Sequence, residues 1–203
     1  MSDPDVYRAL AEEGESETRV LGSRFLGIAA PIGGEEEAAE RIDRLRRKHH
    51  DATHVCFAWR LGHGAGAKGR SSDAGEPSGT AGAPILAAIE RAAVSDALVA
   101  VVRWFGGTKL GTGGLARAYG DSARLALDAA RTEERVVREM LAFVYAYPLS
   151  GRVLRLAEKH GALVEDTSYG DEVRLVLAVP RSRLAALRAD LADATAGAVR
   201  FEK

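Results

Sequence analysis

The alternation of apolar and polar positions divides the chain into segments of recognisable period. Residues 1–18 look like a frayed arm with one helical turn around Val6 to Leu10, and a strand is predicted from Arg19 to Ala30, closed by Pro31-Ile32-Gly33-Gly34. In the next segment Ala38, Ile42 and Leu45 recur at helical spacing. Glu35 to Glu37 open that helix and Arg46 to His50 close it, matching the helix dipole at both ends. From His54 to Leu61 the period is two: Val55, Phe57, Trp59 and Leu61 take one face, and His54, Cys56, Ala58 and Arg60 the other. A long polar loop, Gly62 to Thr80, precedes a helix capped by Thr80 or Gly82, with Pro84 in its first turn. Ala97 to Trp104 reads as a buried strand and Leu115 to Arg131 as a long helix.

The composition shifts near Thr132-Glu133-Glu134, which places a domain boundary close to residue 133 and predicts domains over 1–133 and 134–203. Beyond it the pattern is strand (135–147), helix (150–160), strand (162–168), strand (172–179), helix (182–193) and strand (197–202). That βαββαβ order is the ferredoxin-like one. An RNA-recognition motif would need stacking aromatics on its third strand, and here that strand, EVRLVLAV, has none.

The densest chemistry lies between the predicted strand and the long helix, in RWFGGTKLGTGGLARAY. Gly106, Gly107, Gly111, Gly113 and Gly114 crowd into nine residues, with Arg103, Lys109 and Arg117 in or beside them. A loop leading into a helix N-terminus presents free N–H groups and a positive dipole end, so an anion such as phosphate is the expected ligand. No Gly-Lys-Ser/Thr triplet closes the loop, which excludes a Walker A loop. Gly111 to Ala116 fits GxGxxA, but no tight turn follows the strand and the next strand opens a new domain, so a dinucleotide site is rejected. The glycines equally suit close packing. Arg117 shares its helix with Asp121, Arg124, Asp128 and Arg131, a solvated ion-pair stripe, yet as a cation near the helix start it also suits a bound anion.

Other candidates carry structural alternatives. Asp73 and Glu76, in the loop SSDAGEPSGTAG, could do acid–base work or hold a cation, and could equally rigidify a turn. His54 and Cys56 could form a nucleophile pair, or be a satisfied histidine beside a small buried cysteine. The basic run Arg44 to Lys48 suits its place at a helix C-terminus. No hydrolase or zinc signature is present, and no metal or cofactor is expected.

A net charge of −1 removes any global basic field, so nucleic-acid binding would need a local patch. Cys56 is the only cysteine, the N-terminus lacks a signal-peptide core, and no apolar run reaches membrane-spanning length, so a cytoplasmic protein with no membrane partner is expected.

Taken together, Ser23-Arg24-Phe25, Ala52 to Trp59, Ser72 to Gly82 and Arg103 to Tyr119 resemble the YigZ/Impact family in order and spacing, over roughly residues 19–131. The family usually reads Asp-Asp-Gly-Glu-Pro where this chain has Ala74 at the second acid. The resemblance implies an α+β protein: an N-terminal α/β sandwich like the second domain of ribosomal protein S5, followed by a ferredoxin-like C-terminal domain. The pair resembles the last two domains of elongation factor G. Eukaryotic Impact proteins act in translational control. The expectation is therefore a non-enzymatic, translation-associated protein that binds RNA or the ribosome. Arg103, Lys109, Arg117 and the five glycines would contact phosphate, and Arg24, His54, Arg60, Asp73 and Glu76 could extend the surface. Two alternatives stand beside it: a small-molecule phosphate- or nucleotide-binding enzyme, and an adaptor for a protein partner.

Overall fold

The computed structural model describes residues 5–202. Tyr7–Arg135 form one compact unit, and the chain from Val136 onward, with Asp5 and Val6, forms the other.

The first unit is built on a five-stranded sheet. Its strands are β2 (Gly14–Val20), β3 (Ser23–Pro31), β4 (His54–Leu61), β5 (Lys68–Ser72) and β7 (Ala97–Trp104), ordered β2-β3-β7-β4-β5 with every neighbour antiparallel. A smaller sheet joins β1 (Val6–Leu10), β6 (Val94–Ser95) and β8 (Thr132–Val136). Helix α1 (Glu35–Lys48) covers one face of the large sheet, where Ala38 and Ile42 meet Phe57, Trp59, Leu98 and Ala100. Helices α2 (Gly82–Arg91) and α3 (Gly111–Ala129) cover the other, packing Ile85, Ile89, Leu115 and Tyr119 on Phe25, Cys56, Ala58, Val99 and Val101. Because both faces are covered, β7 is a continuous apolar run rather than an alternating one.

The second unit has β9 (Arg138–Tyr145), α4 (Ser150–Lys159), β10 (Leu163–Tyr169), β11 (Val173–Pro180), α5 (Leu184–Ala194) and β12 (Arg200–Phe201). The sheet order β10-β11-β9-β12 is antiparallel throughout and is the ferredoxin-like arrangement. Its core draws Leu141, Phe143 and Tyr145 from β9, Leu175, Leu177 and Val179 from β11, and Val153, Leu187 and Leu191 from the helices. The α+β class and both domain folds agree with the sequence expectation.

Several local expectations are corrected. Val6–Leu10 is a strand and not a helical turn, with Ala9 and Leu10 fully buried. The single strand expected from Arg19 is a hairpin: β2 and β3 pair through the two-residue turn Leu21-Gly22, both at positive φ (46° and 82°). The polar loop contains β5, whose polar sequence reflects an edge strand paired on one side only. The strand expected over 135–147 is interrupted, β8 ending at Val136 and β9 starting at Arg138. Residues 1–4 of the expected arm lie outside the described residues.

Candidate functional site

Strand register decides which of the candidate residues can meet. His54 of β4 and Arg103 of β7 are direct cross-strand partners, so their side chains share the face covered by α2 and α3. Arg24 pairs with Trp104, one residue further along, and therefore points to the opposite face. There its guanidinium lies 3.7 Å from the Trp104 ring centroid and 3.6 Å from the Glu17 carboxylate. Arg60 lies six residues along β4 from His54, about 20 Å away at strand rise, and lines a separate depression with Lys68 and Glu90.

The loop between β5 and α2 delivers the central carboxylate. Asp73, Ala74, Gly75 and Glu76 form a tight turn closed by the Glu76 N–H donating to the Asp73 carbonyl at 3.0 Å. Its two central residues have positive φ, 45° at Ala74 and 93° at Gly75, which is the type I′ form. The Asp73 carboxylate accepts from the N–H groups of Gly79 (2.9 Å), Ala81 (2.9 Å) and Gly82 (2.8 Å). It therefore does the capping of α2 that Ala81, at the N-cap, cannot do. Thr80 turns instead to the Pro77 carbonyl. Burial pushes the Asp73 carboxyl up, and the three N–H groups outweigh it and hold the group below the usual carboxylate range.

Glu76 is carried inward by the turn until its side chain is only 4% exposed. Oε1 accepts from Arg103 Nη1 at 2.5 Å and from the Tyr119 hydroxyl at 2.7 Å. Tyr119 comes from α3, and burial pushes its phenol up. Arg103 Nη2 reaches Ser23 Oγ at 3.4 Å, while Nε has no partner among the described residues. His54 donates from Nδ1 to the Ala74 carbonyl at 2.9 Å, and its Nε2 lies 3.9 Å from Glu76 Oε1, beyond hydrogen-bond reach. Cys56 donates to the Asp73 carbonyl at 2.9 Å, and burial pushes its thiol up to about 12. With the thiol turned to the Asp73 carbonyl and the imidazole to the Ala74 carbonyl, Cys56 and His54 do not form the hydrogen-bonded pair that a nucleophile would need.

Above this network opens a pocket of about 390 Å³. Glu76, His54 and Arg103 lie on its polar side, Pro77, Phe105, Leu110 and Leu115 form apolar walls, and Lys109, Gly111 and Thr112 complete it. α3 begins at Gly111, with Leu110 at the N-cap, no capping side chain and no acidic residue in its first turn. Three of the five glycines, Gly111, Gly113 and Gly114, thus belong to the helix and not to the loop. Gly106 has a packing role: a Cβ there would fall inside the backbone of Gly22 at the hairpin turn. Gly107 takes φ +87° on the exposed loop. Arg117 is exposed on α3 but does not line the pocket.

The expected cationic surface is therefore corrected. Arg103 is buried and ion-paired, Arg24 lies on the other face, Arg60 is distant and Arg117 stands outside, so Lys109 is the exposed cation at the pocket. His54, Glu76, Arg103, Lys109 and Gly111 are brought together. Tyr119 and Phe105 escaped sequence reasoning as site residues. Tyr119 carried a faint signal as a polar-tipped aromatic on the buried stripe, and Phe105 as an aromatic next to the paired glycines. Among the described residues no cluster of three or more His, Cys, Asp or Glu side chains is placed to hold a metal ion. No helix there is long and apolar enough to cross a membrane.

The family model of the Impact N-terminal domain matches residues 21–127, which contain the whole pocket. The chain belongs to the IMPACT family. A domain of unknown function, DUF1949, matches residues 143–198 in the second unit. The IMPACT family member YigZ of Escherichia coli is 34% identical over 181 residues, 88% of each chain. The IMPACT family member YvyE of Bacillus subtilis is 34% identical over 167 residues, 82% of this chain and 76% of the relative. A crystal structure described only as that of a hypothetical protein is 28% identical, with a TM-score of 0.69 over 99% of this chain and 97% of that one. This IMPACT-family chain is thus similar in fold to that solved structure over almost its whole length.

Proposed function

We propose that this protein is a translation-associated, non-enzymatic RNA-binding protein whose first unit holds single-stranded RNA, one nucleotide entering the pocket beside α3. The observation that carries this is the uncapped, acid-free N-terminus of a 19-residue helix opening on a nucleotide-sized pocket walled by Phe105, itself 46% exposed. Free N–H groups and the dipole favour a phosphate there, and Lys109 adds an exposed cation at the same rim. An exposed phenyl ring is a stacking platform for a base. Membership of the IMPACT family supplies the translational setting. The buried Arg103–Glu76 pair holds the pocket's shape rather than contacting phosphate, which fits a net charge of −1 with local rather than global attraction.

Fluorescence anisotropy with a labelled single-stranded RNA heptamer tests this. Affinity falls as salt rises from about 50 to 200 mM. Lys109→Ala weakens all sequences alike and lowers the salt slope by about one contact. Phe105→Ala removes a stacking contribution of about 1–3 kcal/mol. Heptamers that fail to bind, or that bind both variants as they bind the parent, overturn the proposal.

A further inference from the structure

We infer that the pocket selects guanine. The inference rests on the pocket being an RNA site and concerns which base it admits. Its polar side presents two acceptors that no described residue uses. Glu76 Oε1 is occupied by Arg103 and Tyr119, but Oε2 accepts from no described residue, although the side chain is only 4% exposed and lines the pocket. His54, 20% exposed on its side chain, has its Nδ1 hydrogen fixed on the Ala74 carbonyl, so in the neutral imidazole it is Nε2 that carries the lone pair, facing the same space. Arg103 sends Nη1 to Glu76 and Nη2 to Ser23, and its Nε, without a partner among the described residues, is buried away from solvent.

A ligand that fills this space must bring donors, because an acceptor left unpaired in a closed pocket is costly. Guanine is the base whose Watson–Crick edge carries adjacent donors, N1–H and the N2 amino group. Adenine and cytosine set a ring acceptor beside their amino group, and uracil sets carbonyl acceptors on both sides of N3–H. Those lone pairs would face Glu76 Oε2 and His54 Nε2. With Phe105 along the ring and the α3 N-terminus at the phosphate, the base edge is left to meet the two acceptors. A site built to hydrogen-bond one edge rejects an edge that lacks the partner groups.

The test uses the full chain and four labelled heptamers, UUUGUUU, UUUAUUU, UUUCUUU and the all-uridine control, read by anisotropy. The guanine heptamer binds about tenfold or more tighter than the other three. Glu76→Gln and His54→Leu each reduce that preference, and His54→Leu does so with the Arg103–Glu76 pair intact, which guards against a folding defect in the glutamine variant. Equal binding of all four heptamers overturns the inference and leaves the RNA proposal standing. A preference that survives in both variants also overturns it, since another group would then read the base. No binding by any heptamer overturns the RNA proposal and this inference with it.

Discussion

Replacing Asp73 by alanine removes the acceptor of three backbone N–H groups at once. The Gly79 N–H lies on exposed chain and turns to water, whereas Ala81 and Gly82 are buried at the start of α2. Loss of a helix cap costs about 1 kcal/mol, and a buried donor left without a partner about 1–3 kcal/mol. With two such donors the expected loss is about 2–6 kcal/mol from the first unit. Both tryptophans of the chain, Trp59 and Trp104, lie in Tyr7–Arg135, so tryptophan fluorescence during urea unfolding reads that unit alone. The pH dependence supplies a second check. Asp73 is held below its ordinary value in the folded state, so its contribution is complete above the unfolded pKa of about 4 and is lost as pH falls through the lower folded value. The gap between parent and Asp73→Ala is constant at neutral pH and closes in acid. A gap below about 0.5 kcal/mol at pH 7, or one undiminished near pH 2.5, would refute the capping role.

Two further expectations follow from the buried network. Arg103→Met leaves Glu76 buried without its cation and destabilises the first unit by about 3–5 kcal/mol in urea unfolding, while Arg103→Met combined with Glu76→Leu recovers most of the loss; additive effects would deny the coupling. Cys56, with its thiol pushed up to about 12, resists iodoacetamide in the folded protein at pH 8 and reacts fully in urea, as followed by mass; prompt labelling of the native chain contradicts its burial.

Where a segment buries a regular stripe, its sequence announces it. α1, the core of α3 and the βαββαβ succession are legible from period alone, because Ile42, Leu115 and Leu177 sit at positions that only one structure can bury together. β2 and β5 are not, since GESETRV and KGRSS are edge strands whose polar residues face water and whose main ingredient is backbone pairing. The hairpin turn Leu21-Gly22 lacks the Asn-Gly signature and is flanked by residues that suit one continuous strand. At the site, the glycine-rich segment and the carboxylate loop were legible as chemistry, but not their roles. Arg24 and Arg103 look alike in sequence. They part only through the pairing of Phe25 with Arg103, a register fixed by the whole sheet. Glu76 reads as a surface acid in a polar loop until two successive positive φ angles turn it under Tyr119.

The Ala74 carbonyl has a consequence for how this member can differ from others of its family. It orients the imidazole of His54 through the main chain, so which ring nitrogen carries hydrogen does not depend on the side chain at position 74. An acid at that place is therefore not needed to steer the ring; alanine there removes a charge from the loop and occupies φ +45°, a conformation that aspartate tolerates better. The constraint passes to the next position. Gly75 sits at φ +93° with an added Cβ only 3.2 Å from His54 Nδ1, so a side chain there would press on the ring that its neighbour's carbonyl holds. In this turn, variability and necessity occupy adjacent residues, separated by one peptide plane.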